Sequence, residues 1–70
     1  MYLRTLLNAL VIDNKITIHT EDGHFMFAGT VKEAFGPKMA EIGHWRVKHA
    51  ATCYNSKDGH YLSITLKNPK

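Results

Sequence analysis

Two segments in which apolar and polar residues alternate constrain the fold more than any other feature of this chain. Each of them is interrupted by the sequence Asp-Gly-His. In "KITIHTEDGHFMFAG", Ile16 and Ile18 alternate with polar residues, which is the period-two pattern of a half-buried strand. Asp-Gly is favoured in two-residue type I′ turns, because both central residues there need positive φ. The segment therefore predicts a hairpin in which Ile18 lies opposite Phe27 and Thr20 lies opposite Phe25. Its core face would hold Ile16, Ile18, Phe25 and Phe27.

The second segment repeats this design nearer the C-terminus. "HWRVKHAATCYN" is strand-like, "SKDG" turns the chain, and "HYLSITLK" returns with Leu62, Ile64 and Leu66 on one face. The repeated Asp-Gly-His is either a duplicated Asp-His site or two turns of similar chemistry. Since a turn already accounts for Asp and Gly, the pattern favours two structural turns.

Helices are predicted before each hairpin. Leucines 3, 6, 7 and 10 recur at the spacing of one helical face, and Asp13 and Asn14 follow them. Thr30 and Glu33 form the pattern of a capping box at the start of a second helix, which Gly36-Pro37 interrupts before "KMAEIG". The order αββαββ predicts an α+β fold, with an antiparallel four-stranded sheet and helices packed on one face.

Length and charge indicate what such a domain can bind. Seventy residues allow one domain, residues 1–70, and a domain of this size buries only about 60% of its unfolded surface. Self-association into a homo-oligomer is therefore expected. The net charge of +3 favours an anionic partner, but the chain lacks the dense Lys/Arg stripe of duplex-binding domains.

Few residues suggest catalysis or metal binding. The single cysteine, Cys53, excludes an intrachain disulfide and is expected to be buried and inert. The five histidines (19, 24, 44, 49 and 60) show no recognised ligand spacing, and Gly36-Pro37-Lys38 is not a phosphate loop. The N-terminal apolar run is too short to span a membrane. We therefore expect a cytoplasmic protein that is not an enzyme, with no metal and no cofactor.

The basic aromatic segment "HWRVKH", residues 44–49, is the strongest candidate site. On a regular strand Arg46 and Lys48 share one face, whereas Trp45, Val47 and His49 share the other. With Tyr54 and Tyr61 nearby, the candidate anion- or partner-binding residues are Arg46, Lys48, Tyr54 and Tyr61, because Arg forks onto phosphate and Tyr stacks on bases. The alternative is an ordinary solvated strand face.

The segments "LRTLLNAL", "KITIHTEDG" and "FAGTVKEA" together resemble short accessory proteins of phages and mobile elements in Gram-positive bacteria. The resemblance covers about the first half of the chain and lies in architecture, so no functional residue is carried over. Proteins of this anti-defence type are small and non-enzymatic, and many block host immunity such as CRISPR-Cas. They do so by binding an effector complex or by sequestering a nucleotide signal. The basic charge departs from acidic inhibitors that mimic DNA.

These observations lead to two functional hypotheses. The first is a small, non-enzymatic phage-type protein that inhibits a bacterial process, a host defence system such as CRISPR-Cas, by binding a protein or ribonucleoprotein effector. The second is a basic module that binds nucleic acid or sequesters a nucleotide.

Overall fold

The computed structural model describes residues 1–57 and 59–68, which form one four-stranded sheet and three short helices. The elements are α1 (Leu3–Asn8), β1 (Lys15–Thr20), β2 (Phe25–Thr30), α2 (Val31–Ala34), α3 (Pro37–Ile42), β3 (Val47–Asn55) and β4 (Gly59–Leu66). The strand order is β2-β1-β4-β3. The outer pairs are antiparallel hairpins, and the central pair, β1 with β4, is parallel.

The predicted α+β class is confirmed, but the predicted purely antiparallel sheet and the order αββαββ are wrong. The second helix is divided at Gly36-Pro37, where Pro37 occupies the first turn of α3. The sheet is mixed because its two central strands, one from each hairpin, run in the same direction. Ile16, Ile18, Ile64 and Leu66 on β1 and β4 are almost completely buried there.

All three helices contribute to a core on one side of the sheet. The buried apolar residues are Leu3, Leu7, Ile16, Ile18, Val31, Ala34, Met39, Ile42, Ile64 and Leu66. The predicted capping box begins α2: Glu33 N–H donates to Thr30 Oγ1 (3.3 Å) and Thr30 N–H donates to Glu33 Oε1 (2.8 Å). Within the described residues, no helix is long and apolar enough to cross a membrane.

The first hairpin turns through residues 21–23 and not through a two-residue type I′ turn. Gly23 N–H donates to the Thr20 carbonyl (3.0 Å), and only Gly23 has positive φ (93°) in this loop. A three-residue loop shifts the register by one, so His19 pairs with Phe25. A β-bulge then restores the predicted pairing of Ile18 with Phe27. Phe25 is consequently 64% exposed, and its predicted place in the core is wrong.

The second hairpin uses the same sequence motif at a different position of the turn. Gly59 (φ 76°) is paired with Asn55, whereas Gly23 lies inside its loop. Asp58, the predicted turn residue, lies outside the described residues. Because β1 ends at its turn and the parallel β4 begins at its own, the two tips lie at opposite ends of the sheet. The repeated motif therefore does not form one site.

Candidate interaction surface

In the part of the chain that the structure describes, the three helices pack on one side of the sheet, and we call the opposite side the bare face. Register places the following side chains on it: Lys15, Thr17, His19, Phe25, Ala28, His49, Ala51, Cys53, Tyr61, Ser63 and Thr65. Within this set Lys15, at the start of β1, is the one Lys, Arg, Asp or Glu. The bare face therefore consists mainly of small, hydroxyl and aromatic side chains, together with the imidazoles of His19 and His49.

Aromatic residues lie near the two ends of the bare face, and hydroxyl groups lie between them. At one end the rings of Phe25 and His19 meet edge to face, with their centroids 5.9 Å apart. Near the other end Tyr61 lies opposite Cys53. Thr17 and Ser63 are neighbours in the centre, and the Thr17 hydroxyl has no hydrogen-bond partner within the described part of the chain. Aromatic side chains are enriched and charged side chains are depleted in protein-binding surfaces, as they are on the bare face.

Arg46 and Lys48 do not form the expected cationic row. Arg46 precedes β3 and pairs with Tyr2, and its guanidinium carbon lies 5.1 Å from the centroid of the Tyr2 ring. A β-bulge between Val47 and His49 interrupts the alternation on which the row depended. The Lys48 amine lies 3.4 Å from Glu21 Oε1. These two cations therefore face different partners.

The same bulge reverses which side chains of β3 face the helices. Trp45 and Val47 pack against the core as predicted, but His49 is exposed on the bare face. Cys53 is half-buried on the bare face instead of lying in the core. Tyr54 lies on the opposite side of the sheet and is 66% exposed, and its ring centroid lies 5.1 Å from that of His60. Of the predicted tyrosines, only Tyr61 belongs to the bare face.

A groove of about 480 Å³, which we call the basic groove, contains Arg46. It is lined by Tyr2, Glu21, His44, Trp45, Arg46, Lys67 and Asn68. Arg46 and Lys67 contribute two positive charges. The carboxylate of Glu21 is engaged by Asn68 N–H (2.9 Å) and by Lys48 (3.4 Å). The hydrogen bond from Asn68, followed by that from Lys48, lowers the pKa of Glu21. A small anion with a flat group fits this combination of charge and aromatic walls.

The first Asp-Gly-His motif has a structural use that its sequence only partly indicated. Asp22 accepts a hydrogen bond from the Thr20 hydroxyl, which is the main reason why its pKa is lowered. Its other oxygen lies 3.4 Å from the side-chain nitrogen of Asn68, and His24 Nδ1 lies 3.5 Å from Oδ1. Glu21 and Asp22 together fasten the C-terminal segment to the turn. Asn68 follows the last predicted strand, and no sequence pattern indicated that it would contact the first turn.

No three His, Cys, Asp or Glu side chains come together in a metal-binding arrangement among residues 1–57 and 59–68. Comparison with protein-family models, curated proteins and solved structures finds no match to this chain.

Proposed function

We propose that this chain is a non-enzymatic binding protein that inhibits a bacterial process by holding a protein or ribonucleoprotein effector against its bare face. The observation that carries this proposal is the low charge of that face, where Lys15 is the one charged side chain of the set, combined with its exposed aromatic residue, Phe25. A surface with a single cation gives little attraction to nucleic-acid phosphates, whose binding depends on several Lys and Arg side chains. Exposed aromatic side chains such as Phe25 are enriched in protein interfaces and among the residues that contribute most to binding.

The inhibitory role, the host-defence target and the cytoplasmic location belong to the same proposal. They are supported by the resemblance of the first half of the chain to anti-defence proteins of phages and mobile elements. The geometry contributes a separate argument for binding: a sheet face that the protein's own helices leave uncovered, in a domain too small to cover both sides.

A capture experiment with matched variants tests the proposal. The bait is the full chain, and the prey is lysate of a Gram-positive host carrying a CRISPR-Cas system. Phe25→Glu places a charge on the bare face, whereas Val11→Glu places one on an equally exposed apolar residue outside it (64% and 63% exposed). We expect one effector to be retained by the wild type and by Val11→Glu, and lost with Phe25→Glu.

Two outcomes contradict the proposal. Equal retention by both variants places the contact elsewhere, and turnover of a substrate by the purified chain removes the non-enzymatic assignment. Circular dichroism of both variants establishes that the charge does not unfold the sheet.

The basic groove supports a second candidate function, the binding of a nucleotide signal. Arg46 and Lys67 supply charge for a phosphate, and Tyr2 and Trp45 supply rings beside it. Calorimetry with cyclic dinucleotides tests this directly. Arg46→Ala with Lys67→Ala should abolish the heat of binding, whereas Lys32→Ala with Lys57→Ala, which removes the same charge elsewhere, should retain it. A mobility shift with DNA or RNA that weakens steeply with salt would instead indicate polymer binding.

A further inference from the structure

The N-terminal segment covers the beginning of the outer edge of β3, and no other described strand pairs with that edge from residue 50 to residue 54. Residues 1–3 run along this edge: Leu3 N–H donates to the Trp45 carbonyl (2.9 Å) and Val47 N–H donates to the Met1 carbonyl (2.8 Å). From residue 50 to residue 54, β4 is the only described segment that pairs with β3. An open edge presents unpaired backbone N–H and C=O groups and is a template for another strand.

The register identifies which backbone groups point outward. Lys67 N–H donates to the Arg46 carbonyl (2.8 Å), so this pair is hydrogen-bonded. Hydrogen-bonded and non-hydrogen-bonded pairs alternate along an antiparallel ladder, and the bulge at Lys48 adds one residue. Ala50, Thr52 and Tyr54 then fall at the non-hydrogen-bonded positions toward β4. Their N–H and C=O groups therefore face the open edge.

The open segment lacks the features by which edge strands avoid pairing. The bulge and Lys48 lie before it, and residues 50–54 (AATCY) contain no charge and no proline. Its side chains are small at one end and large at the other: Ala50 and Ala51 precede Tyr54, which is 66% exposed. This segment has no charge, small side chains at one end and an aromatic side chain at the other. In an antiparallel pair of such segments, the small side chains of each copy lie opposite the aromatic side chain of the other.

We propose that a second copy of this chain docks on this edge, with β3 pairing antiparallel to β3 of its partner about a two-fold axis at Thr52. This register pairs Thr52 with its counterpart and Ala50 with the partner's Tyr54. It uses all the outward backbone groups of residues 50, 52 and 54, which gives about six hydrogen bonds. Each tyrosine lies against an alanine, and no like charges meet. The two sheets become one, and the two bare faces become continuous.

The choice of a second copy follows from this self-complementarity, since a two-fold contact pairs the β3 edges of both molecules with each other and leaves neither of these two edges open. A strand from an unrelated protein would cover one edge only. The contact is small for a protein interface, so the dimer is expected to be weak and dependent on concentration. The inference does not depend on the proposed function, because it concerns the edge of the sheet and not the bare face.

Charge at the axis gives the first test. Thr52→Lys brings two ammonium groups together at the two-fold axis, whereas Ala28→Lys adds the same charge to an exposed residue on β2, the other edge strand. Sedimentation velocity from micromolar to millimolar concentration should show a dimer for the wild type and for Ala28→Lys. Thr52→Lys should weaken dimerisation at least about tenfold. A wild type that stays monomeric, or a dimer that Ala28→Lys dissolves and Thr52→Lys does not, overturns the proposal.

A cross-link gives the second test and reports on register. In a Cys53→Ala background, Thr52→Cys places its only thiol at the axis, where paired Cα atoms are about 5.5 Å apart and within disulfide range. Ala28→Cys in the same background is the matched control. Mild oxidation should convert the Thr52→Cys protein to a covalent dimer much faster than the control. Equal rates for the two proteins would contradict the register.

Discussion

The two hairpins share the sequence Asp-Gly-His, yet one is built into the core and the other extends beyond it. In the first hairpin, Ile16 and Ile18 are buried under the helices, and Asn68 holds the turn through Glu21 and Asp22. The second hairpin is longer, with strands of nine and eight residues. β4 begins at Gly59, but its pairing with β1 begins at Leu62. Among the described pairs, its distal end therefore extends beyond β1.

The difference shows what the turn motif controls. Both glycines take positive φ and reverse the chain, so local sequence determines where each hairpin bends. Whether the hairpin becomes core or surface depends on which elements pack beside it. The distal part of the second hairpin supplies exposed Tyr54 and the open edge of β3, which are the features that the proposed dimer uses.

Truncating one buried side chain in the first hairpin and one exposed side chain in the second should show the largest difference in stability between the two hairpins. Ile18→Ala removes a fully buried side chain on β1 and should lower the free energy of unfolding by about 2–5 kcal/mol. Tyr54→Ala, in the distal hairpin, should cost less than about 1 kcal/mol. Urea unfolding followed by circular dichroism measures both. If Ile18→Ala does not fold, Ile18→Val, with an expected cost of about 1 kcal/mol, keeps the comparison measurable. Equal costs at the two positions would show that the distal hairpin is also part of the core.

Replacing the turn glycines should have similar effects in the two hairpins. A Cβ at Gly23 or Gly59 meets no atom within 4 Å, so the cost is the strain of positive φ alone. Each Gly→Ala change should lower the unfolding free energy by about 1 kcal/mol. Gly→Asn at the same positions is the control and should cost less, because Asn tolerates this conformation better. Loss of binding in either alanine variant at unchanged stability would instead indicate a functional site at the turn.

Acid should lower the stability of the first turn, by less than the substitutions above. The folded-state pKa values of Glu21 and Asp22 are lowered, so their stabilisation is present above the ordinary carboxyl range of about 4. It is lost as the pH falls through the lower folded-state values, when both carboxylates become protonated. The Tm of the wild type should therefore fall more steeply below about pH 4 than that of Glu21→Gln with Asp22→Asn. Asp13→Asn, at an exposed carboxylate outside the turn, should keep the wild-type slope; a double variant with that same slope would exclude the turn as the source.

Much of the local structure could be predicted from the sequence. The capping box at Thr30 and Glu33, the division at Gly36-Pro37 and the pairing of Ile18 with Phe27 are all present. Each depends on neighbouring residues or on a regular period, which the sequence displays directly. The errors in side-chain direction come from two β-bulges. The one beside His19 places Phe25 on the surface, and the one at Lys48 reverses His49, Cys53 and Tyr54.

The sequence by itself determined the α+β class, the positions of both turns and the apolar strands that form the core, because periodicity and turn chemistry act over a few residues. Only the tertiary structure decided that β1 and β4 lie side by side in parallel, that Asn68 closes the first turn and that His49 and Cys53 lie on the bare face. These features join residues more than forty positions apart or depend on a single inserted residue. A one-residue bulge moves every following side chain to the opposite face, and no local pattern specifies it.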